Sequence, residues 1–415
     1  MFLHYATIAV GAAIKAVSAY FAGVSLFALR RQRPYPDAAP ATRFAVVIPA
    51  RNEAGAVGRL VESLLDQEYP RTLYEIYVVP NNCTDDTEGA ALAAGARVLR
   101  CAGSVRNKGD ALRESLAVLM DDPAGYDAFL VFDADNLADR RFLTEMDRAF
   151  QAGARVAKAR NEAKNPYDSW ISGCYSIYFG IFAAVFNRAR AACGLSAKLV
   201  GTGFAVRREV LEKLGGWRTR TITEDADFAA QLALEGERVR WVPRAVAYDE
   251  EPLTLLESMK QRKRWCSGIM QVARLRFPDF LRRGGRGFRA LKLDAAMFLT
   301  APFLQAVSVF DTFLVWALAF AGSGADPSAL ALTALLGGAA TYIGTAGLAA
   351  LIAFRYARFD RRILKSVLGF PIFMLSWIPL QVLALFRKTV VWEEIRHTRS
   401  LSIAEAAARV AGGGA

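Results

Sequence analysis

Two carboxylates close an apolar run in the middle of the chain. Phe129-Leu-Val-Phe132 is followed directly by Asp133-Ala-Asp135. Because alternate residues of a strand point to the same side, both carboxylates can face one ligand at the strand end. Hard oxygen ligands suit Mg²⁺ or Mn²⁺, which also bind phosphate oxygens. The pattern predicts a divalent-cation site for a phosphate ester; the alternative is a solvated turn that caps a helix near Asp139.

A second group of acids lies further along the chain, at Thr223-Glu-Asp225, and Asp227 follows it closely. Like charges that are crowded in a cleft raise the pKa of at least one carboxyl group, which suits a general base. The same residues also fit a helix start in which Thr223 is the cap and the acids complement the helix dipole. The residues alone leave both interpretations open.

Basic and aromatic residues form a third group at Gln261-Arg-Lys-Arg-Trp265. On a helix, Gln261, Arg264 and Trp265 share one face. An Arg guanidinium can bind a phosphate through two hydrogen bonds, and a Trp ring can stack on a sugar or a base. The alternative is a Trp at a membrane interface. Gly201-Thr-Gly-Phe204 is a weaker signal, for a close backbone approach beside an aromatic ring or for a tight turn.

Alternating strands and helices between residues 44 and 249 position these groups. The hydrophobic pattern predicts strands at 44–49, 75–79, 96–99 and 128–132, with helices at 53–67, 90–94 and 110–120. Strands separated by helices imply a mainly parallel sheet, whose ligands bind at the C-terminal strand ends. Asn81, Asp133 and Asp135 all fall at such ends. The sequence therefore predicts an α/β domain with one ligand site at this edge.

The composition and the first apolar segment indicate a membrane protein. Hydrophobic residues make up 53% of the 415 residues, the mean hydropathy is +0.20 and the formal net charge is +12. Residues 5–29 are long enough for one helical crossing and lack the basic start of a secretory signal. Arg30, Arg31 and Arg33 follow. By the positive-inside rule, the N-terminus lies outside and the next domain lies in the cytoplasm.

A basic segment leads into further apolar segments. Residues 253–276 read as an amphipathic basic helix with a continuation at 280–292, which we expect at the membrane interface. Apolar spans are predicted at about 295–321 and 329–354. Residues 363–386 are also apolar but contain two prolines and have basic flanks, so they could span the membrane or form a bent re-entrant element. This arrangement favours membrane binding over nucleic-acid binding.

Few residues are available for other chemistry. His4 and His397 are the only histidines, so a His-based metal site or catalytic triad is disfavoured. The cysteines show neither a CxxC pair nor metal-ligand spacing, and we expect them to be reduced thiols. They are Cys83, Cys101, Cys174, Cys193 and Cys266.

Seven short motifs occur in a fixed order. They are Val46-Val-Ile-Pro-Ala-Arg-Asn-Glu53, Asn81-Asn-Cys-Thr-Asp-Asp-Thr87, Asn107-Lys-Gly-Asp-Ala-Leu112, Asp133-Ala-Asp135, Gly201-Thr-Gly-Phe204, Thr223-Glu-Asp225 and Gln261-Arg-Lys-Arg-Trp265. In this order they resemble the motifs of membrane-bound family 2 glycosyltransferases, the group that contains cellulose, chitin and hyaluronan synthases. The resemblance covers roughly residues 44–271. It implies a GT-A fold and an inverting transfer from a nucleotide sugar, usually a UDP-sugar.

The resemblance also implies roles for single residues. It assigns nucleotide binding to Glu53, Asn81, Lys108, Asp133 and Arg264. It implies that Asp135 binds the Mg²⁺ or Mn²⁺ ion and that Asp225 is the general base that takes the proton of the acceptor hydroxyl. It assigns the acceptor or product site to Gly203, Phe204, Glu224, Gln261, Arg262 and Trp265. Asn81 departs from the family pattern, which has Asp there, so the charge expected beside uracil is missing.

The predicted organisation has five parts. They are a transmembrane helix at 1–33, a cytosolic GT-A catalytic domain at 40–250, interface helices at 251–292, a transmembrane or re-entrant region at 293–388 and a cytosolic tail at 389–415. In the tail, Trp392 and His397-Thr-Arg399 loosely resemble a gating segment of some synthases. The expected partners are a nucleotide sugar, a glycan or lipid acceptor and the bilayer, without nucleic acid.

Three functions remain after these observations. The main hypothesis is a processive synthase that extends a β-linked polysaccharide at the cytoplasmic face of the cell membrane and exports it. The alternative is transfer of one sugar to a lipid, as in ceramide glucosyltransferases, which share the QxxRW-type motif; a small number of spans would favour it. A transport or receptor protein that only binds nucleotide is disfavoured, because it would not need the acids of Thr223-Glu-Asp225.

Overall fold

The computed structural model describes residues 2–283, 289–322, 326–356, 360–386 and 403–405. Its strands are β1 (Phe44–Ala50), β2 (Tyr74–Pro80), β3 (Arg97–Val98), β4 (Ala128–Val131), β5 (Leu137–Ala138), β6 (Val156–Ala163), β7 (Phe204–Arg207) and β8 (Val239–Asp249). The helices of the first half are α1 (Phe2–Leu26), α2 (Val57–Leu65), α3 (Thr87–Ala93), α4 (Lys108–Met120), α5 (Phe142–Gln151), α6 (Trp170–Ile181) and α7 (Arg188–Cys193). Those of the second half are α8 (Arg208–Leu214), α9 (Glu224–Leu234), α10 (Leu255–Arg283), α11 (Arg289–Gly322), α12 (Pro327–Tyr356), α13 (Leu364–Leu375) and α14 (Trp377–Phe386).

The strands form one sheet in the order β3-β2-β1-β4-β7-β6-β8-β5. β1 is parallel to β2 and β4, β2 is parallel to β3, and β6 is parallel to β8. β7 lies antiparallel between β4 and β6, and β5 is antiparallel to β8. The predicted mainly parallel sheet is confirmed, as are its first four strands. The helix expected from residue 53 begins at Val57, because Glu53 and the residues after it form a turn.

Both faces of the sheet are covered, as the nearly continuous apolar strands require. Phe44, Val46 and Ile48 of β1 pack on one side with α2 and α5, whereas Ala45 and Val47 pack on the other side with α4 and α9. This is the alternation of side chains along a strand. The buried layers hold the strand ends rigidly, and the site is built on those ends.

Five helical segments among the described residues are long and apolar enough to cross a membrane. They are Thr7–Leu29, Trp170–Cys193, Ala290–Leu318, Pro327–Arg355 and Arg361–Phe386. The sequence analysis missed the second, because it lies inside the α/β pattern. That segment is α6, a π-helical stretch at Phe182–Asn187 and α7, and its α6 packs against α12 and α13. It therefore joins the sheet domain to the apolar helices.

The segment at 363–386, which the sequence predicts to be broken, consists of α13 and α14 with the break at Ser376. Pro371 lies inside α13, and Pro379 lies in the first turn of α14, where a missing N–H is tolerated. Whether the segment spans the membrane or re-enters stays a prediction. The basic helix α10 is longer than expected and reaches Arg283. Of the tail, only 403–405 lie within the described residues, so the motif at Trp392 and Arg399 lies outside them.

Candidate active site

A cavity of about 780 Å³ lies at the C-terminal strand ends and continues between the apolar helices. Most of the residues that the sequence singled out line it. They are Glu53, Asn81, Lys108, Asp133, Asp135, Glu224, Asp225, Gln261, Arg264 and Trp265. Gly203, Phe204 and Arg262 are not among the lining residues. The cation carboxylates, the candidate base and the basic helix thus share one space.

Two turns that follow β1 and β2 form the nucleotide side of the cavity. Asn52 and Asn82 both have positive φ angles, of 57° and 51°, which Asn tolerates better than most residues. The Oδ1 atom of Asn52 accepts hydrogen bonds from the backbone and the hydroxyl of Thr84. The Asn81 amide donates to the carbonyl oxygen of Ala50 at 3.0 Å. The chain folds so tightly here because these side chains tie one turn to the other.

The carboxylates after β4 are held by different partners. The backbone N–H of Asp133 donates to Thr202, and its carboxylate lies 2.6 Å from the Lys108 ammonium. Beside Asp135 lies Asp249, at the end of β8, which accepts hydrogen bonds from Asn136 and Asn161. Burial and the nearby Asp135 raise the pKa of Asp249. The sequence analysis missed Asp249, which ends β8 and begins an acidic run in the sequence.

A divalent cation fits the Asp135 end of this wall. A positive charge between the carboxyl groups of Asp135 and Asp249 would relieve the repulsion that raises the pKa of Asp249. Within the described ranges, no group of three or more His, Cys, Asp or Glu side chains could hold a metal ion by itself. Mg²⁺ is often bound by one or two carboxylates together with substrate phosphates and water. The residues present therefore fit an ion that arrives with a diphosphate.

Lys108, at the start of α4, connects the two acidic groups. Its ammonium lies 2.6 Å from Asp133 and 3.1 Å from Glu224, and it also donates to the carbonyl oxygen of Gly201. Burial alone would lower the pKa of Lys108, but the two carboxylates outweigh it and raise that pKa. Burial also raises the pKa of Glu224, against the effect of Lys108. The three ammonium hydrogens are thus engaged within the protein.

The candidate base Asp225 is oriented by backbone groups. Its carboxylate accepts hydrogen bonds from the N–H groups of Gly201, at 2.7 Å, and Ala226, at 2.8 Å. Thr223 is the N-cap residue of α9, as the alternative predicts, but its side chain makes no capping hydrogen bond among the described residues. Its side chain packs instead where α10 passes closest: a Cβ on Gly268 would lie 2.2 Å from it. The acids do occupy the first turn of α9.

Asp227 is a structural member of the acidic group. It is fully buried, pairs with Arg276 at 2.6 Å and accepts the backbone N–H of Arg220 at 2.7 Å. This ion pair ties α9 to the basic helix α10. It holds the Thr223-Glu-Asp225 segment against the wall of the cavity.

Arg262 is not where the resemblance places it. Gln261, Arg264 and Trp265 line the cavity, whereas Arg262 is not among the lining residues and is completely buried. Its guanidinium donates to the carbonyl oxygens of Ser258 and Phe373 and to the Ser376 hydroxyl. It also lies over the ring of Phe373. It therefore ties α10 to the break between α13 and α14 and does not contact an acceptor.

Phe204 is also misplaced by the resemblance. Its ring is fully buried in the sheet core, where it stacks on Trp217 and packs against Phe228. Gly203 has a positive φ of 62°, and a Cβ there would lie 3.0 Å from the Cβ of Ala247. The glycine permits the turn before β7, and both residues therefore shape the strand without reaching the cavity.

The cavity has two regions of different character, which we call the polar half and the apolar half. The polar half is formed by the sheet-edge residues Glu53, Asn81, Lys108, Asp133, Asp135, Glu224 and Asp225. The apolar half is formed between the helices by Phe21, Phe182, Phe186, Phe298, Pro302, Met374 and Trp377, together with Lys198 and Gln381. The sequence analysis missed the apolar half, because its members come from separate apolar segments that show no motif.

The family of the chain follows from comparisons with known proteins. Residues 40–268 match the family described as Glycosyltransferase like family 2, and this segment is more than half of the chain. The chain belongs to glycosyltransferase family 2. The predicted enzyme class is thereby confirmed, whereas the processive subgroup is not.

Individual relatives of this family 2 glycosyltransferase include lipid and polymer enzymes. The beta-monoglucosyldiacylglycerol synthase of Synechocystis sp. is 30% identical over 70% of this chain and 63% of its own length. The putative cellulose synthase 2 of Komagataeibacter xylinus is 29% identical over 74% of this chain but only 20% of its own length. The chain thus spans less than two thirds of the length of either relative.

A solved structure agrees with the fold. The mannosyltransferase PcManGT from Pyrobaculum calidifontis, in complex with GDP-Man and Mn²⁺, superimposes with a TM-score of 0.62 at 20% identity. The match covers 92% of this chain and 99% of that chain. The GT-A fold predicted from the sequence is therefore confirmed, together with helices that could span a membrane.

Proposed function

We propose that this glycosyltransferase transfers a single sugar from a nucleotide sugar, with inversion, to a hydroxyl group of a membrane lipid. The observation that carries the proposal is the continuity of the cavity, which joins Asp135 and Asp225 to aromatic rings between the candidate membrane helices. A lipid can place its hydroxyl in the polar half while its chains stay in the apolar half. Arg30, Arg31 and Arg33 favour a cytoplasmic polar half.

The polar half suits the departure of a nucleoside diphosphate. Glu53 and Asn81, in the turns after β1 and β2, are suitable for the nucleoside, and Arg264 is suitable for a phosphate. A Mg²⁺ or Mn²⁺ ion held by Asp135, with Asp133 beside it, would neutralise the charge that develops on the leaving diphosphate. Mn²⁺ in the related mannosyltransferase supports this choice. We assign Lys108 to holding Asp133 and Glu224 in place, because its hydrogens are already engaged.

The acceptor is activated on the other side of the sugar. Asp225 takes the proton from the acceptor hydroxyl as its oxygen forms a bond to the anomeric carbon, and the bond from that carbon to the diphosphate oxygen breaks. The hydrogen bonds from Gly201 and Ala226 fix the carboxylate in one orientation before substrate arrives. Such preorganisation lowers the barrier without a rearrangement during reaction.

Transfer of one sugar to a lipid is the alternative hypothesis from the sequence, and the apolar half of the cavity favours it. The Synechocystis relative, which is named as a glucosyldiacylglycerol synthase, supports it further. One observation favours a polysaccharide: the rings of Trp265 and Trp377 lie 6.1 Å apart in the cavity wall, and such rings can also stack on sugars. Polymer synthesis therefore remains the second candidate.

Product analysis separates the two candidates. The full chain, purified in lipid nanodiscs, is incubated with Mn²⁺ and a panel of nucleotide sugars, with diacylglycerol and phospholipids as acceptors. We expect a glycolipid with one sugar and release of the nucleoside diphosphate. A long glycan from the same incubation would favour the second candidate. Donor turnover without any glycosylated lipid, even with the full lipid panel, would contradict the proposal.

A further inference from the structure

Lys198 places a cation in the apolar half of the cavity. It lies between α7 and β7, and its ammonium nitrogen is 4.5 Å from the ring centre of Phe182 and 4.7 Å from that of Phe298. In the part of the chain that the structure describes, the ammonium makes neither a hydrogen bond nor an ion pair. The nearby Arg190 differs, because its guanidinium pairs with Asp294 at 2.9 Å.

Lys198 is half-buried, and the loss of hydration by a cation that gains no counter-ion is unfavourable. Burial lowers the pKa of Lys198 to about 8, although the charge of Asp225 acts in the opposite direction. The two aromatic rings attract the ammonium, but a cation–π contact replaces only part of its lost hydration. The ammonium lines the cavity, so a ligand can reach it. Its three N–H donors are suited to a phosphate-type oxyanion.

The surroundings of Lys198 indicate which substrate supplies the anion. Lys198 lies against the rings of Phe182 and Phe298 in the apolar half, and Asp225 is the carboxylate whose charge acts on it. Lys108, by contrast, pairs with Asp133 at 2.6 Å, at the strand ends where the diphosphate is expected. Lys198 is therefore placed with the base and the membrane helices, away from the expected diphosphate site. The anion must then belong to the acceptor.

We propose that Lys198 binds an anionic, phosphate-type group of the acceptor lipid, beside the hydroxyl that Asp225 deprotonates. This inference rests on the proposed function and makes it narrower. The acceptor class is a phospholipid whose head group carries an alcohol, in preference to a neutral diacylglycerol. The ion pair replaces hydration that the lysine loses on burial, so it contributes to acceptor binding and not to donor binding.

The test compares two lipids that differ in the phosphate. Phosphatidylglycerol and diacylglycerol are offered in phosphatidylcholine vesicles with the donor that gives product, and glycerophosphoglycerol is a soluble arm with the same head group. The variants are Lys198→Met, which keeps the contact with the rings, and Lys260→Met, which removes one exposed charge of α10 outside the cavity. Nucleotide binding and thermal unfolding report whether each variant is folded.

We expect phosphatidylglycerol to be preferred, and Lys198→Met to lower its kcat/KM by about 10- to 100-fold, as for a lost hydrogen bond to a charged group. Diacylglycerol transfer should change little, and Lys260→Met should leave the preference intact. Equal use of diacylglycerol by the unmodified protein would overturn the inference while the lipid proposal stands. An equal loss for both lipids would also overturn it, because Lys198 would then act through Asp225.

Two further outcomes test whether the anion must belong to a lipid and whether the proposed function itself is correct. If glycerophosphoglycerol is glycosylated as efficiently as phosphatidylglycerol, the site recognises the phosphate without the lipid chains. The part of the inference that concerns a lipid acceptor would then be wrong. If no lipid is glycosylated and a polymer forms, the proposed function fails, whatever Lys198 does.

Discussion

The two halves of the cavity differ in how far their polar groups are already satisfied. In the polar half, Lys108 pairs with Asp133 and Glu224, and Asp225 accepts two backbone hydrogen bonds. In the apolar half, the indole N–H of Trp377 and the amide oxygen of Gln381 are buried without a hydrogen-bond partner among the described residues. The first half is thus ordered for chemistry before substrate binds, whereas the second is completed by a ligand.

Two half-buried lysines of the cavity wall show the same contrast. Carboxylates raise the pKa of Lys108, whereas burial lowers the pKa of Lys198. An internal counter-ion makes a lysine part of the scaffold, and its absence among the described residues makes the lysine available to substrate. The difference indicates that residues of the polar half carry out the reaction, whereas residues of the apolar half select the acceptor. Substitutions in the two halves should therefore have different effects.

Asp225→Asn should have the largest effect. Loss of the general base should lower kcat by roughly 10²–10⁴-fold, because the amide cannot take the acceptor proton. Binding of the nucleoside diphosphate, measured by calorimetry, should stay within about twofold, since the carboxamide can still accept from Gly201. Transfer at the normal rate by this variant would show that Asp225 is not the general base. The polar half would then lack its assigned catalytic residue.

Phe204→Ala should affect stability and not acceptor choice. Removing a fully buried ring from the sheet core should cost about 3–5 kcal/mol of unfolding free energy, through lost burial and the cavity left behind. Phe204→Leu should fold better and should keep the acceptor KM of the unmodified protein. A raised acceptor KM in the Leu variant, without a change in thermal unfolding, would show that Phe204 does contribute to acceptor binding.

The case of Phe204 illustrates what the sequence can and cannot tell. The motif acids and the strand ends could be predicted, because period-two alternation and the edge of a parallel sheet are local consequences of the chain. The helical spacing also correctly put Gln261, Arg264 and Trp265 on one face, and the same rule argues against Arg262. The resemblance carried motif neighbours into the site although their side chains turn away from it.

The apolar half could not be predicted, for a different reason. Lys198, Phe298 and Gln381 come together only through packing between distant helices, and no periodicity in the sequence reports such contacts. Asp249 is an intermediate case. Like Asp133, Asp249 lies at the C-terminal end of a strand that runs parallel to a neighbour, so the same argument applies to it. The predicted strands, however, end at residue 132.

Glu224→Gln tests the charge network of the polar half through pH. The folded pKa of Glu224 is raised above its ordinary 4.5, first by burial, so protonation stabilises the fold. This stabilisation is full below the unfolded pKa and is lost as the pH rises toward the folded pKa. Relative to the unmodified protein, the Gln variant should therefore gain stability as the pH rises from 4 to 7.

The measurement for Glu224 is thermal unfolding in one detergent across that pH range. Glu212→Gln, at an exposed position on α8, is the matched control and should show no such gain. A gain of the opposite sign would mean that Lys108 outweighs burial in fixing the charge of Glu224.

Gln381→Leu should have the smallest effect, with opposite signs in two measurements. The Gln381 amide oxygen has no hydrogen-bond partner in the described part of the chain, so its replacement by an apolar side chain should leave stability unchanged or raise it slightly. Its amide N–H donates to Gln305, which faces the cavity and can find water instead. If the oxygen is completed by a hydroxyl of the acceptor, the acceptor KM should rise by about 2- to 10-fold while the donor KM stays constant. Trp377→Phe removes the indole N–H together with part of the ring, so the acceptor KM should also rise, but stability should fall because the smaller ring leaves a gap beside Tyr178. Lower stability of the Gln381 variant with an unchanged acceptor KM would mean that this side chain supports the packing of the helices and does not bind the acceptor.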